Sequence, residues 1–369
     1  MKYSLLKITL VLFAIASLSC KNSSSGSADE KKILEFRGAD ISYLPELEAA
    51  DARFYKNGTE VPLLTILKES GVNWIRLRLW TSDEDLQKKI ALAKRIKAAG
   101  FNFLLDLHYS DTWADPSHQA IPAAWDSFTE ITPLCNKVYD YTTEVLEAFK
   151  TEGCSPDMIQ TGNEITGGML FDLGKIESGN FTNLASLLKS ATQAVRTATP
   201  NAKIMLHIER SCNKEASTWW FGEALNNNLD FDVIGLSYYA FYHSTDLSVL
   251  ADTISTLTAQ TEKPVCIVET NYPWTTGWKE GDNKQNYVGD GSSLIKDLPA
   301  TPKGQKKYLK TLCQRVASSG GCGVFWWEPD AVAIPGFESD MENLTWFDFN
   351  NNYNGSGDIF LEFQEINGF

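Results

Sequence analysis

From residue 33 onward, short apolar or β-branched runs alternate with longer stretches whose apolar positions recur every three or four residues. The short runs predict strands at 34–40, 72–79, 101–108, 157–164, 202–208, 231–239, 264–269 and 322–327. Helical spacing covers 63–70, 83–99, 133–152, 181–199, 214–228, 245–261 and 302–318. Strands separated by helical crossovers lie parallel. Eight of them, with no glycine-rich phosphate turn after the first, predict one closed (β/α)8 TIM barrel of the α/β class rather than an open doubly wound sheet. Helix ends fit these boundaries. Asp83 is placed to cap a helix whose Leu86, Ile90, Ala93 and Ile96 share a face, and Gly100 follows it. No repeat of 20–50 residues and no second domain is visible. The stretches 109–131, 165–180, 270–300 and 328–369 are long, and each follows the C-terminal end of a candidate strand. Active sites of this architecture lie at that face, and long loops there favour an extended cleft over a small pocket.

The first 19 residues read differently. Lys2 and Lys7 give a positive start, and residues 5–18 form an apolar run broken by few polar residues and too short to span a bilayer, so 1–19 is expected to be a secretory signal peptide. Ser17-Leu18-Ser19-Cys20 resembles a lipoprotein processing box, which makes Cys20 the expected acylated first residue. Residues 20–32, rich in serine, then form a flexible lipid-anchored linker, and 33–369 is the catalytic domain. Export to a bacterial outer membrane or cell surface, or secretion, follows. The formal charge of −14 becomes −16 without residues 1–19, which contain two lysines and no acid. Such a chain repels phosphate backbones and anionic lipid, so no nucleic-acid partner is expected, and membrane contact only through Cys20; neutral polysaccharide is compatible. Six further cysteines lack zinc-ligand spacing. Pairs 313–322 and 135–154 are plausible bridges, and buried free thiols are the alternative.

Two glutamates carry the chemical signal. Gln160-Thr161-Gly162-Asn163-Glu164 closes the fourth strand, and Val265-Cys266-Ile267-Val268-Glu269-Thr270 closes the seventh. A carboxylate at a strand end inside a barrel mouth loses hydration, and one alone could be a salt-bridged structural acid. Two, on facing strands, match glycosidic cleavage: a protonated carboxyl for the leaving oxygen and an ionised one at the anomeric carbon. Arg76 points into the barrel if Ile75, Leu77 and Leu79 face the helices, and would keep Glu269 ionised; Tyr238 or Tyr239 could hydrogen-bond it. Arg78 shares that parity, with an ion pair to Asp106 as its structural alternative. Asn163 can donate to a sugar hydroxyl. Trp80, Trp113, Trp274, Trp278, Trp326 and Trp327 stand at or after strand ends, where indole faces can stack on sugar rings. Trp219 and Trp220, on a helix, are expected in the core.

The chain resembles clan A glycoside hydrolases, and within them the family 53 endo-β-1,4-galactanases. The resemblance rests on Gly38-Ala39-Asp40-Ile41-Ser42, Ile75-Arg76-Leu77-Arg78-Leu79-Trp80, and the block from Asp106 through His108, Asp111 and Trp113 to Pro116. It also rests on Gly162-Asn163-Glu164, Gly235-Leu236-Ser237-Tyr238-Tyr239, Val268-Glu269-Thr270 and Phe325-Trp326-Trp327-Glu328-Pro329. It implies a retaining enzyme acting within β-1,4-galactan as a monomer, with Glu164 as acid/base, Glu269 as nucleophile and Arg76 as its partner. Asp40, His108, Asp111, Asn163 and Trp326 are implied to line the sugar subsites. Some bacterial members of that family carry a calcium ion between the loops after the seventh and eighth strands. Here the matching stretch, 280–286, places Lys284 among the oxygen ligands, and an ammonium group inside a calcium shell is unfavourable. No metal or other cofactor is therefore expected. The alternatives are another clan A endoglycanase, acting on mannan or arabinan, and a catalytically dead glycan-binding lipoprotein.

Overall fold

The computed structural model describes residues 33–279, 281–288, 291 and 293–365; the expected signal peptide, linker and Cys20 lie outside the described residues. Eight parallel strands close into a barrel in chain order: β1 (Phe36–Asp40), β2 (Trp74–Leu79), β3 (Asn102–Leu107), β4 (Met158–Thr161), β5 (Lys203–Ile208), β6 (Val233–Ser237), β7 (Val265–Thr270) and β8 (Gly321–Trp326). β1 pairs with both β2 and β8, which completes the ring. Around it run α1 (Leu44–Ala49), α2 (Leu63–Glu69), α3 (Asp83–Ala98), α4 (Ile131–Thr151), α5 (Thr182–Ala198), α6 (Lys214–Asn226), α7 (Leu247–Thr261) and α8 (Pro302–Ser318). This is the TIM barrel that the alternation predicts. The short pieces were not legible in the pattern, among them α1, six residues long, and a two-stranded ribbon pairing Tyr55–Lys56 with Thr59–Glu60. Elements of one or two turns are too short to show a period. The cap of α3 is Ser82, whose hydroxyl accepts from the Asp85 N–H, and not Asp83, which is the first helical residue.

Strand parity organises the core. On β2, Ile75, Leu77 and Leu79 pack toward the helices, while Trp74 joins an axial layer with Phe36, Leu104, Met158, Met205, Val233, Cys266, Val268 and Phe325. Gly38 is required there, because a Cβ at that position would come within 2.0 Å of the Phe325 ring. One pleat higher, the axial positions turn polar: Asp40, Arg76, Asp106, Gln160, His207 and Ser237, all buried. The apolar layer thus forms a floor, and the polar layer faces the C-terminal mouth.

β7 breaks the alternation. Leu236 pairs with Ile267 and Ser237 with Glu269, so one extra residue is inserted in β7; β8 shows the matching shift, Val324 to Ile267 and Trp326 to Thr270. Cys266 and Val268 point inward, and strict alternation would send Glu269 outward. The bulge re-aims it into the mouth. All six described cysteines are free thiols, so neither plausible bridge is present, and the alternative holds for Cys154, Cys266 and Cys313, which are buried.

Candidate active site

β4 stops at Thr161, earlier than the expected end of the fourth strand, and the chain turns upward through Gly162 at φ +92°. A side chain at Gly162 would also meet Ile165 at 2.8 Å, so the turn needs glycine twice over. Glu164 itself is left-handed, at φ 48°, a conformation costing a non-glycine residue on the order of 1 kcal/mol. That turn lifts its carboxyl over the mouth. Glu269 reaches the same space from across the barrel, 6% exposed. Between them stands Ser237, whose Oγ lies 2.6 Å from Glu164 Oε1 and 3.4 Å from Glu269 Oε2. The two carboxylate oxygens are therefore at most 6.0 Å apart, the sum of those distances.

The surroundings of the two acids differ. Arg76 Nη2 forms an ion pair with Glu269 Oε1 at 2.8 Å, and the Tyr239 hydroxyl donates to Oε2 at 2.9 Å. Arg76 also pairs with Asp40 at 2.9 Å and Asp106 at 2.8 Å, and donates to Asn163 Oδ1 at 2.9 Å. Asn163 is further fixed by its amide donating to Ala114 O at 2.8 Å. His108 donates through Nε2 to Asp106 at 3.0 Å and accepts the Ala114 N–H on Nδ1, so it holds the loop after β3 against the cage. Burial works against the Arg76 charge, but Asp106, Glu269 and Asp40 outweigh it and push its pKa up. Burial also raises both glutamates. For Glu269 the Arg76 guanidinium and the Tyr239 hydroxyl oppose that rise. For Glu164, repulsion from Glu269 adds to burial, and it goes well above the usual carboxylate range. The proton therefore belongs on Glu164 and the charge on Glu269.

An open cleft of about 730 Å³ runs over this pair, with Arg76, His108, Trp113, Asn163, Tyr239 and Trp327 among its lining. Comparison with known proteins bears on the family of the chain. The glycosyl hydrolase family 53 model matches residues 36–360. The chain belongs to glycosyl hydrolase family 53. It is 37% identical to an arabinogalactan endo-β-1,4-galactanase of Cellvibrio japonicus over 355 residues, 92% of each chain. A solved catalytic domain of this family from Ignisphaera aggregans superposes with a TM-score of 0.85 at 32% identity, covering 92% of this chain and 98% of that one. A chain from a study of two fungal β-1,4-galactanases gives 0.79 at 33% identity, with 89% and 99% covered.

Several residues expected along the sugar path of this family 53 chain stand elsewhere. Trp326 is fully buried on the helix side of β8, its indole N–H donating to Leu344 O at 3.0 Å, because Phe325 takes the axial position. Tyr238 likewise points outward, donating to Ser244 O at 2.7 Å, and Tyr239 alone of the pair reaches Glu269. Asp40 lies beneath the mouth, held by Arg76 and Ser42. Asp111 is a loop anchor that bonds the Thr81 hydroxyl and accepts the Ala123 N–H at 2.8 Å. Trp80 sits under the Arg78 guanidinium, 3.8 Å from its ring centroid, and edge-on to Trp113. Trp274 donates to Glu342 O and packs on Phe349. Only Trp113 and Trp327 of the strand-end tryptophans line the cleft; Trp278 is exposed outside it. On α6, Trp220 is core as expected, whereas Trp219 is 43% exposed. Arg78 does not pair with Asp106, which Arg76 takes; it is stacked among Trp80, Trp113 and Tyr43. Ser237, His207 and Gln160 were not singled out from the sequence. Their parity was readable, but their convergence on one point depends on strands 30–84 residues apart.

The stretch matched to a calcium loop does not suit the ion. Asp282 accepts the N–H groups of Lys284 and Ser339, and the Asn283 amide donates to Glu338. Glu280 lies outside the described residues.

Glu328 and Asp330, after β8, are fully buried, and Glu328 Oε1 with both Asp330 oxygens lacks a hydrogen-bond partner among the described residues. Burial, then repulsion from Asp40, pushes both pKa values well up. A folded-state pKa above the unfolded one gives stability that is present at low pH and lost as pH rises through the folded value. Asp330→Asn keeps the group neutral throughout. It should therefore raise Tm by about 2–4 °C at alkaline pH and less at acid pH. Melting curves from pH 5 to 9 test this, and parallel curves for variant and wild type would refute it.

Proposed function

We propose that the chain is an endo-acting, retaining β-1,4-galactanase that works by double displacement. Glu269 attacks the anomeric carbon while Glu164 protonates the leaving oxygen. Glu164 then takes a proton from the water that releases the sugar from Glu269. The observation carrying this reading is the Ser237 hydroxyl within reach of both carboxylates, with their oxygens at most 6.0 Å apart. Inverting enzymes hold their carboxyl groups ~6.5–9.5 Å apart to admit a water, and retaining ones ~5–5.5 Å. His108 and Asn163 hold the floor of the reacting subsite, and Trp113, Trp327 and Tyr239 offer ring faces to the sugar. Galactan is supported by the names of the relatives, and internal cleavage by the open cleft. No metal or other cofactor is required by this chemistry.

Incubation with galactan, mannan and arabinan, following reducing ends and product sizes, tests the assignment. Oligosaccharides from galactan alone support it. Release from mannan or arabinan instead, or binding without release, would overturn it. The N-terminal pattern supports export and a lipid at Cys20, with the barrel acting as a monomer on the bacterial surface. Cys20→Ala should move activity from the membrane fraction to the soluble one, and an unchanged distribution would count against the anchor.

A further inference from the structure

We infer that Ser237 is a positioning residue whose single hydroxyl proton turns toward whichever of Glu164 and Glu269 is ionised as the reaction proceeds. The inference rests on the roles proposed above for those two glutamates.

Ser237 ends β6, is fully buried and does not line the cleft, so it acts only through its neighbours. Its Oγ meets three groups: Glu164 Oε1 at 2.6 Å, His207 Nε2 at 2.8 Å and Glu269 Oε2 at 3.4 Å. A hydroxyl has one proton to donate and two lone pairs to offer. His207 is fully buried, and burial together with Arg76 holds it neutral. The backbone N–H of Glu164 donates to His207 Nδ1 at 3.4 Å, and this donor cannot be reassigned by flipping a side chain. With Nδ1 accepting, as the inference requires, the ring proton sits on Nε2 and donates to Ser237. Asn163 Oδ1, 2.9 Å from Nδ1, is the competing acceptor.

One lone pair of Ser237 is thereby filled. In the resting enzyme the protonated Glu164 donates to the other, and the hydroxyl proton faces the ionised Glu269. In the first displacement the Glu164 proton leaves with the departing sugar, and Glu269 becomes an uncharged ester. The hydroxyl then turns about its Cβ–Oγ bond and donates to the newly ionised Glu164. Ser237 keeps its own proton throughout. Other groups face Glu164: Glu269 from β7, Glu209 after β5, Asp115 after β3, and Tyr239 and Tyr242 after β6. Among the described residues, Ser237 is the only side chain that hydrogen-bonds its carboxyl.

Ser237→Ala removes the donor from ionised Glu164. The alkaline limb of kcat/KM on galactan should move up by about one pH unit, with kcat down roughly tenfold and KM unchanged. Ser237→Thr, which restores a hydroxyl, should return the limb toward its wild-type position. Neutron diffraction of the wild type needs no variant. The Ser237 deuterium should face Glu269 below the alkaline limb and Glu164 above it, with deuterium on His207 Nε2 in both. An unmoved limb in a folded Ser237→Ala enzyme, or a Ser237 deuterium facing His207 at both pH values, overturns the inference. If the wild type releases nothing from galactan, the functional reading itself fails; if it cleaves while Ser237→Ala keeps its profile, only this inference fails.

Discussion

Glu269→Ala is expected to lower kcat on galactan on the order of 10⁵-fold, with the fold intact. Among the described residues, the side chain is the one carboxylate of the mouth held by both a guanidinium and a phenol, at 2.8 and 2.9 Å, which orients it as well as keeping it charged. No neighbour can replace it. Asp40 and Asp106 lie deeper and are already committed to Arg76. Because those two remain, Arg76 keeps its counter-charges in the variant, and melting should change little. The vacated space lies beside the anomeric carbon, so a small anion such as azide can enter it. With Glu164 still present, azide should restore part of the rate on a substrate carrying an activated leaving group, and the product should be the α-linked glycosyl azide. A β-linked azide, or residual activity above about a hundredth of wild type, would contradict the nucleophile assignment.

Arg76→Met carries the second large effect, and it falls on stability and chemistry together. The guanidinium is buried with three carboxylates around it, and removing it leaves them without their shared cation. Breaking a buried ion pair by deleting one partner costs about 3–5 kcal/mol, and here one deletion breaks three. The surviving folded enzyme should be slower by roughly 10²–10³-fold, since the charge that keeps Glu269 ionised is gone. Arg76 is the cation that opposes the upward push of burial on Glu269, so its loss raises that pKa further. The acid limb of the pH profile should consequently move to higher pH. Arg76→Lys should recover part of the stability but not the limb, because one ammonium cannot span Asp40, Asp106 and Glu269 as the planar fork does. Urea denaturation together with a pH profile tests both halves, and an unmoved acid limb in the methionine variant would argue that Arg76 is structural only.

The barrel was legible because its two periods differ so clearly: strands alternate and helices repeat every three to four residues, and the long loops all fall on one face. The chemical pair was legible because carboxylates closing apolar strands are costly unless used. The misplacements of Tyr238 and Trp326 share one cause. Alternation that turns Arg76 to the axis gives Ser237 and Phe325 the axial positions of β6 and β8, which sends Tyr238 and Trp326 outward. A tryptophan at a strand end signals a sugar platform only when its parity is axial or it has left the strand, as Trp113 and Trp327 have. Glu269 is the opposite case. The run from Val265 to Thr270 contains no residue that marks a bulge, and without the inserted residue the Glu269 carboxyl would face the helices. Contacts such as Ser237 with Glu164, 73 positions apart, arise from closing the ring and leave no local trace.

The cage around Arg76 has a consequence for the covalent stage of the reaction. One positive charge there faces three negative ones, so the resting enzyme stores an electrical imbalance in a space that water screens poorly. In the double displacement proposed above, esterification of Glu269 removes one of the three and lets the guanidinium settle on the two aspartates. The sugar-bound form is thus the less repulsive arrangement of this cluster, and hydrolysis of the ester has to rebuild the tension that its formation released.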